Sequence, residues 1–513
     1  MEDKDMMNID KSMFEFAQKD EKLHDTKLDA KRVGYFKDAF MRFRKNKGSV
    51  VGGIIIILLL LFAIFVPIFG GNSYANNIKD NTYLYYKKLM PKSSLFAGLG
   101  FWDGCKTEEM NVNSYNYYNA IGVETGCNPI VAVKDFDQVE RMYTVKSDSY
   151  YKNGMVYMTL TKEEYQNIQK WQDENEIQVI YPAVDLAKYT VESFKTDANR
   201  WYVVDQRGFP VVDASGNYEE NYLKTGTDDY TSKMRIASDP YNSGDTENAY
   251  RYARLTGSST SGGYYVRIFT YNYFIYKYGF EPAFLFGTND LGQDLFTRLA
   301  EGARFSFLLA LFISMINLTI GAIYGAIEGY YGGAVDLTME RISDILANVP
   351  FIVVVTLFNL HLSKQVGALG SLLFAFVTTG WIGTAGTVRM QFYRFKNQEY
   401  VLAARTLGAS NARIMFKHIF PNALGTIVTS SILVIPSVIF SESMLSYLGI
   451  INLETSGFTS VGTLLSQGQG FLSTYPHILL FPAIFVSLLM ISFNLFGNGL
   501  RDAFNPSLRG SED

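Results

Sequence analysis

Gly287 and Gly292 have the spacing of a phosphate loop, but Gln293 and Asp294 stand where such a loop needs Lys then Ser or Thr to hold phosphate and magnesium. The segment is not a nucleotide site. The four histidines, His24, His361, His418 and His477, are scattered and show no metal-ligand spacing, and no nucleophile set is recognisable. No catalytic residue and no metal site is therefore expected. What remains is charge and thiol chemistry. Asp294 and Arg298 are spaced to pair on a helix; the alternative is a turn and a short helix leading into an apolar run. Glu442, within Ile435 to Ser443, lies near the end of another run. An ionisable group at membrane depth is costly and tends to face a bundle interior or an aqueous path, so Glu442 either lines a path or pairs a neighbouring subunit or caps a helix. Glu328, at the other end of its run, reads as interfacial. Cys105 and Cys127 are the only two cysteines. A disulfide between them would close a loop of about 20 residues and contribute roughly 3 kcal/mol; two free buried thiols are the other possibility.

A different kind of chemistry, docking, is written in Glu399 to Asn422. Gln398 to Leu407 has good helix formers, with small Ala403 and Ala404 on one turn. Gly408 can take the left-handed conformation that ends a helix. Ser410 can cap a second helix, which Pro421 is expected to close. Small side chains let another protein's groove come close, while Arg405, Arg413 and Lys417 hold the hairpin on the cytoplasmic side.

The elements that position this hairpin are apolar and long. Runs sufficient to cross a bilayer, about 20 residues each, occur at Val50 to Phe69, Phe305 to Ile327, Ile345 to Leu362, Gln365 to Val388, Ala423 to Ser441 and Pro476 to Phe496. Mean hydropathy is nevertheless only +0.02, so a large polar part must offset these six spans. The net charge of -4 gives no argument for nucleic acid. Lys31 to Lys47 is strongly basic with Asp38 as its one acid, which makes the N-terminus cytoplasmic. Alternation then puts residues 389–422 and the tail after Leu500 inside as well. Both have basic flanks, in Arg389, Arg394, Lys396, Arg501 and Arg509. The first run lacks a small-residue cleavage site and reads as an anchor. Phe36, Phe40 and Phe43 before it fit an interfacial helix or a merely basic anchor.

Between the first and second spans, Asn72 to Pro282 is placed outside the cell and is large enough for its own core. Thr161 with Glu164 is a capping-box pattern opening a helix to Asn175. Met155 to Thr159, Ile177 to Tyr181, Trp201 to Asp205 and Pro210 to Asp213 read as strands, the last two as a hairpin through Gln206-Arg207-Gly208. An α+β domain follows. Asp239 to Gly263 reads as a loop. Tyr264 to Phe280 is dense in aromatics, which suits a core or membrane belt, or else a docking surface.

The hairpin resembles the coupling loop of ABC-importer permeases, whose pattern is Glu-Ala-Ala, three residues, Gly, nine residues, then Ile-x-Leu-Pro. Ala403, Ala404, Gly408 and Pro421 fall at the matching places; Leu402, His418 and Phe420 depart, and Glu399 stands one turn before the missing carboxylate. Phe286 to Ser306 is similar to the segment before the second span in peptide-importer permeases, with Asn289, Gln293 and Thr297 departing from Gly-Thr-Asp, Gly-Arg-Asp and Ser-Arg. Gly497 to Pro506 resembles the family's ending. The likeness covers the first span and everything from Phe286 on. It implies the C-type subunit of the oligopeptide/dipeptide branch of the peptide/nickel permease family. The implied fold is an all-α polytopic membrane protein with six transmembrane helices of the type I ABC-importer permease fold, here with an inserted extracellular α+β domain. The expected organisation is a cytoplasmic tail with the interfacial helix (1–49), the first span (50–71), the insert (72–285), an outer gate segment (286–304), the permease core (305–500) containing the coupling loop (389–422), and a cytoplasmic tail (501–513).

The resemblance implies a non-catalytic membrane subunit that binds no cofactor itself, ATP and magnesium being used by partner ATPases. Its expected partners are a second permease subunit, two ABC ATPase subunits, an extracellular peptide-binding lipoprotein and the peptide substrate. Glu399, Ala403, Ala404, Gly408, Arg413 and Pro421 would couple to the ATPases; Asp290, Asp294, Arg298, Arg304 and Glu442 are candidates for the outer gate or path. Nickel or another small solute is the runner-up cargo. A membrane-anchored extracellular protein without transport function and an ABC-linked mechanotransmission protein fit the sequence less well, the first for want of a nucleophile or metal set, the second for its span count and want of this hairpin.

Overall fold

The computed structural model describes residues 35–69, 85–99, 101–185, 202–206, 210–222, 252–256, 263–454 and 457–504. Helix α1 (Tyr35–Lys45) covers the three phenylalanines, and Phe43 packs edge-on against Phe496. It is followed at once by α2 (Lys47–Phe69), an almost wholly apolar helix.

The insert is α+β. β1 (Cys105–Asn111), α3 (Val112–Thr125), β2 (Ile130–Asp137) and β3 (Met142–Asp148) give a three-stranded antiparallel sheet ordered β1-β3-β2. Then come α4 (Ser149–Lys152), β4 (Met155–Leu160), α5 (Lys162–Asn175), β5 (Ile180–Tyr181), β6 (Ala253–Thr256), β7 (Gly263–Phe269) and α6 (Thr270–Tyr278). β7 is the centre of the second sheet, antiparallel to β4 along its length and to β6 and β5 on its other edge.

Several sequence expectations change here. Thr161 does cap α5 by accepting from the Glu164 amide, but the Glu164 carboxylate accepts from the Tyr273 hydroxyl at 3.0 Å, so only half of a capping box forms. The strand expected at Ile177 to Tyr181 shrinks to two residues because Gln172 Oε1 takes the Val179 and Ile180 amides, each at 2.7 Å. Of the strands expected at Trp201 to Asp205 and Pro210 to Asp213, the described residues 202–205 and 210–213 form isolated bridges, among them Val204 to Pro210; Trp201 and the Arg207-Gly208 turn lie outside the described residues. Most of Asp239 to Gly263 lies outside the described residues, and Ala253–Thr256 within it is strand. Within the aromatic run after it, Phe269, Tyr271, Tyr273 and Phe274 are buried and build core, while Phe280 is exposed. At the centre Arg267, fully buried, donates to both carboxylate oxygens of Glu124 at 2.8 and 2.9 Å, joining β7 to α3. Removing one partner of such a pair strands a buried charge and costs about 3–5 kcal/mol.

The remaining chain is helical: α7 (Leu295–Tyr331), α8 (Gly333–Ala347), α9 (Phe351–Thr379), α10 (Ile382–Phe395), α11 (Glu399–Thr406), α12 (Asn411–Arg413), a π-helical stretch (Ile414–Ile419), α13 (Phe420–Ile432), α14 (Val434–Tyr447), α15 (Val461–Gly468) and α16 (His477–Phe504). The expected run at Phe305 to Ile327 is the middle of a 37-residue helix that begins at Leu295, so no separate short helix precedes it. Gly321, Gly325 and Gly329 form a smooth ridge on α7, where an added Cβ would lie 2.7 Å from Trp381 O, 2.2 Å from Ala385 O and 2.7 Å from Arg389 O. Small residues at this spacing bring helix backbones into contact; α7 and α10 are packed at that limit.

Among the described residues, five helical stretches are long and apolar enough to cross a membrane: Lys47–Phe69, Leu295–Tyr331, Phe351–Phe395, Asn411–Tyr447 and His477–Phe504. The runs expected separately at Ile345 to Leu362 and Gln365 to Val388 are joined within one of them. At Gly367 (φ 76°, ψ 169°) that stretch folds back on itself. Phe351 and Phe376 would be about 37 Å apart on a straight helix, yet their ring centroids are 5.0 Å apart. A core of residues from α2, α7, α9, α14, α15 and α16, including Ala310, Val355, Leu372 and Leu489, closes around this hairpin.

Candidate functional site

The segment Glu399 to Asn422 is a helical hairpin. Gln398 is the N-cap residue of α11. At its other end the Gly408 amide donates to Arg405 O at 3.0 Å and the Ala409 amide to Ala404 O at 3.0 Å. With Gly408 at φ 79° this is a Schellman ending, as the sequence predicts. Ser410 accepts from the Arg413 amide at 3.4 Å and starts the second helix. Pro421 does not close that helix, contrary to expectation. Proline offers no amide and its ring crowds the carbonyl one turn back; the chain absorbs this with the π-helical stretch, in which the Phe420 amide reaches Met415 O, and runs on into α13. A π-bulge inside a helix is a common device where a residue disturbs the regular ladder.

One face of the hairpin is seated and the other is bare. Val401, Ile414, Met415 and Ile419 are buried with Val388 and Phe392 of α10 and Ala326 and Tyr330 of α7, and the Tyr330 hydroxyl donates to Asn411 Oδ1 at 2.8 Å. Glu399, Ala403, Gly408, Arg413 and Pro421 are exposed and Ala404 is half-buried. The bare face is apolar in places: Leu407 is 87% exposed, and Leu402 and Phe416 are also exposed. Behind the hairpin, Arg389 binds Asp336 through Nε at 2.6 Å and Nη2 at 3.0 Å, and Glu340 at 2.8 Å, with Glu328 at 3.7 Å. Tyr393 also donates to Asp336. Against the pull of burial, Arg389's hydrogen bonds lead in holding the Asp336 carboxyl below its usual range. Glu328 is thus buried and part of a charge cluster, not merely interfacial. In the sequence Arg389 reads only as a basic flank; the Asp336-x-x-x-Glu340 spacing is the available sign of a partner face.

The segment 286–304 is likewise tied. Asp294 is the N-cap of α7, accepting from the Phe296 and Thr297 amides and from Thr297 Oγ1 at 2.6 Å. It does not pair with Arg298, which binds Glu301 at 3.0 Å and donates to Thr459 Oγ1 at 2.6 Å. The N-terminal position of Asp294 explains this, since its oxygens are used by the free amides of the first turn. Asn289 Nδ2 donates to Gln293 Oε1 at 3.1 Å, a neutral pair at the two places where this chain lacks the charged residues of the resembling segment. Asp290 has one buried carboxylate oxygen without a hydrogen-bond partner, and Arg304 is exposed. Glu442 is 1% exposed and accepts from Ser460 Oγ at 2.6 Å, Ser446 Oγ at 3.1 Å and Ser306 Oγ at 3.4 Å. It ties α7, α14 and α15 together, and in this conformation faces no open path. Arg298 and Glu442 hold adjacent residues, Thr459 and Ser460. Cys105 and Cys127 are free thiols, which corrects the disulfide expectation: Cys105 Sγ contacts Asp103 O at 3.7 Å. Burial pushes the Cys105 thiol up to about 11 and raises Cys127 too, so neither is poised to oxidise.

The sequence missed the fastening of the insert to this segment. The Lys88 amide donates to Asn289 O, Leu89 exchanges bonds with Thr288, and Thr288 Oγ1 donates to Tyr86 O at 2.6 Å. Trp102 Nε1 donates to Leu285 O and its ring meets Phe481. Phe286 stacks on Phe481 with centroids 4.0 Å apart.

A bundle of long apolar helices that holds one polar, half-bare hairpin between two of them defines a helical protein of membrane-spanning build. The chain belongs to the family of binding-protein-dependent transport system inner membrane components, whose model matches residues 317–510, while the N-terminal TM domain of oligopeptide transport permease C matches 34–91. It is 46% identical over 224 residues to the oligopeptide transport system permease protein OppC of Bacillus subtilis, an alignment covering 44% of this chain and 72% of that one. It is 42% identical to the dipeptide transport system permease protein DppC of the same organism, over 44% of this chain and 69% of that protein. Escherichia coli OppC is 37% identical over 45% of this chain and 74% of its own length. Residues 92–316, which include most of the insert, lie between the two matched stretches.

Proposed function

We propose that the chain is a permease subunit of an ATP-driven importer of oligopeptides or dipeptides. It works beside a second permease subunit and two separate ATPase subunits, and receives peptide from an extracellular peptide-binding lipoprotein. The observation that carries this reading is the hairpin Glu399 to Asn422, firmly seated on α7 and α10 through one face while Leu407, Leu402 and Phe416 stand bare on the other. Exposed apolar side chains on a fixed polar handle mark a contact still to be made. An ATPase cleft holding Ala403, Ala404 and the Gly408 turn would feel any change of its own shape as a change in docking energy, and only such a difference between states can drive the permease between inward and outward forms. Glu399 and Arg413 would pair with charges at the rim of that cleft, and Pro421 sets the entry angle through the π-helical stretch.

In this reading the two limbs of the stretch folded at Gly367 each cross the membrane, giving six spans. Both termini are cytoplasmic, α1 lies at the interface, and residues 72–285 form an extracellular domain above the gate segment 286–304. ATP and magnesium belong to the partner ATPases. The test is copurification followed by reconstitution in proteoliposomes. Two ATPases, a second permease and ATP-dependent peptide uptake are expected; a lone homodimer, or uptake of nickel without peptide, would overturn the assignment.

A further inference from the structure

Between the insert and the start of α16 lies an open cleft of about 170 Å³ lined by Lys87, Lys88, Lys106 and Lys152, with Glu108, Asn153 and Tyr475 among its other walls. We propose that this cleft binds a free carboxylate, the C-terminal group of a peptide, at the mouth of the permease. The proposal rests on the peptide-import reading above.

The cleft has a surplus of donors. Glu108 is its single carboxylate, and Oε1 is already used by Lys152 and by Ser147 Oγ at 2.5 Å, with Lys106 at 3.9 Å from Oε2. Among the described residues Lys88 has no carboxylate partner; its ammonium lies over the Phe471 ring, 4.2 Å from the centroid. Lys106 lies 4.1 Å from the Tyr475 centroid. Aromatic faces hold ammonium groups without consuming their hydrogen-bond donors, so these two cations are positioned yet still able to donate. Asn153 adds a buried side-chain amide nitrogen that has no acceptor. A buried donor left unmet is costly, and an oxyanion is the group that would meet it.

The backbone gives an independent sign. Lys88 has φ 58°, a left-handed conformation that a lysine seldom adopts. It is held there by its amide bond to Asn289 O at 2.9 Å and by the neighbouring Leu89 and Thr288 pair. Local strain of this kind, fixed by surrounding structure, tends to occur where a side chain must be aimed. Here the backbone stays at the seam between the insert and the gate segment while the side chain is aimed over Phe471, into the cleft. The cleft is small beside sites that enclose a whole drug-sized ligand, about 300–1,000 Å³. It suits one terminal group, with the rest of the peptide leaving through the open side.

The experiment uses the permease and ATPase complex in lipid nanodiscs and equilibrium dialysis of three probes: tri-alanine, tri-alanine amide and inorganic phosphate. The acid should bind about tenfold tighter than the amide, the size expected for one charge-assisted contact. Lys106→Gln and, as a second route should that variant fail to assemble, Lys88→Gln should each erase the preference while ATP hydrolysis by the complex persists. Glu108→Gln should instead tighten the acid by roughly threefold, because it removes the one like charge while keeping the hydrogen-bond shape; a merely structural role would not improve binding. Equal binding of acid and amide, a preference that survives both lysine variants, or phosphate binding with no preference among the peptides would each overturn the proposal. Failure of the reconstituted importer to take up peptide at all would sink the peptide-import reading instead, and is read from a separate assay.

Discussion

The hairpin at Glu399 to Asn422 and the seam between residues 85–92 and 284–294 are both turns built on a left-handed glycine, and they are finished in opposite ways. At Gly408 an added Cβ would meet nothing within 4 Å; at Gly287 it would lie 2.3 Å from Leu89 O and 2.9 Å from the His477 ring. The seam is closed by its own chain, through Thr288, Leu89, Asn289 and Trp102. The hairpin satisfies its backbone but leaves Leu407 in the open. A site completed internally sets geometry; a site left incomplete waits for a partner.

The largest effect on folding should come from filling the closed site. Gly287→Ala adds both left-handed strain and a clash with backbone, and should cost about 3 kcal/mol, read as a lowered melting midpoint of the detergent-solubilised chain. A loss below 1 kcal/mol would mean that the seam is looser than its hydrogen bonds imply. Gly408→Val is the counterpart. Strain alone should cost about 1–2 kcal/mol, so the chain still inserts and assembles, but peptide uptake should fall far more than ATP hydrolysis. Transport at the native rate would break the proposed coupling role.

Sequence reasoning succeeded where one residue decides a local shape and failed where several elements compete for it. Thr161, Gly408 and Ser410 act within a turn of themselves, and each does what its type predicts. Pro421 was misjudged because a helix interrupted by proline can add a π turn and continue when tertiary packing, here Ile414 and Ile419 against α10, holds both halves. The Asp294 and Arg298 spacing was real, but helix-start amides claimed one residue and Thr459 and Glu301 the other. The apolar runs were legible as membrane-length segments; that two of them form one stretch folded at Gly367 depends on Phe351 meeting Phe376, a contact no local pattern carries. The turn and cap of the hairpin were therefore readable, while the Arg389 cluster, the Glu442 hub and the seam needed the fold.

The smallest expected effect concerns acid. Burial raises the Asp103 and Glu108 carboxyls, but Lys146 on the first, and Lys152 with Ser147 on the second, outweigh it and hold both below their usual range. Both lie on or beside β1, next to the seam. A carboxylate whose folded value is depressed contributes stability that is fully present above its unfolded value, about 4, and that contribution is lost as pH falls through the folded value. The seam should therefore loosen below about pH 4, read as faster hydrogen exchange in peptides spanning 85–92 and 284–294. The hairpin should respond less, because among the described residues no ion pair falls within Glu399 to Asn422. Asp103→Asn with Glu108→Gln should weaken the acid response of exchange at the seam, with a slightly higher rate at neutral pH. Equal acid sensitivity of seam and hairpin in the native chain would show that the two regions differ in their partners but not in what holds them together.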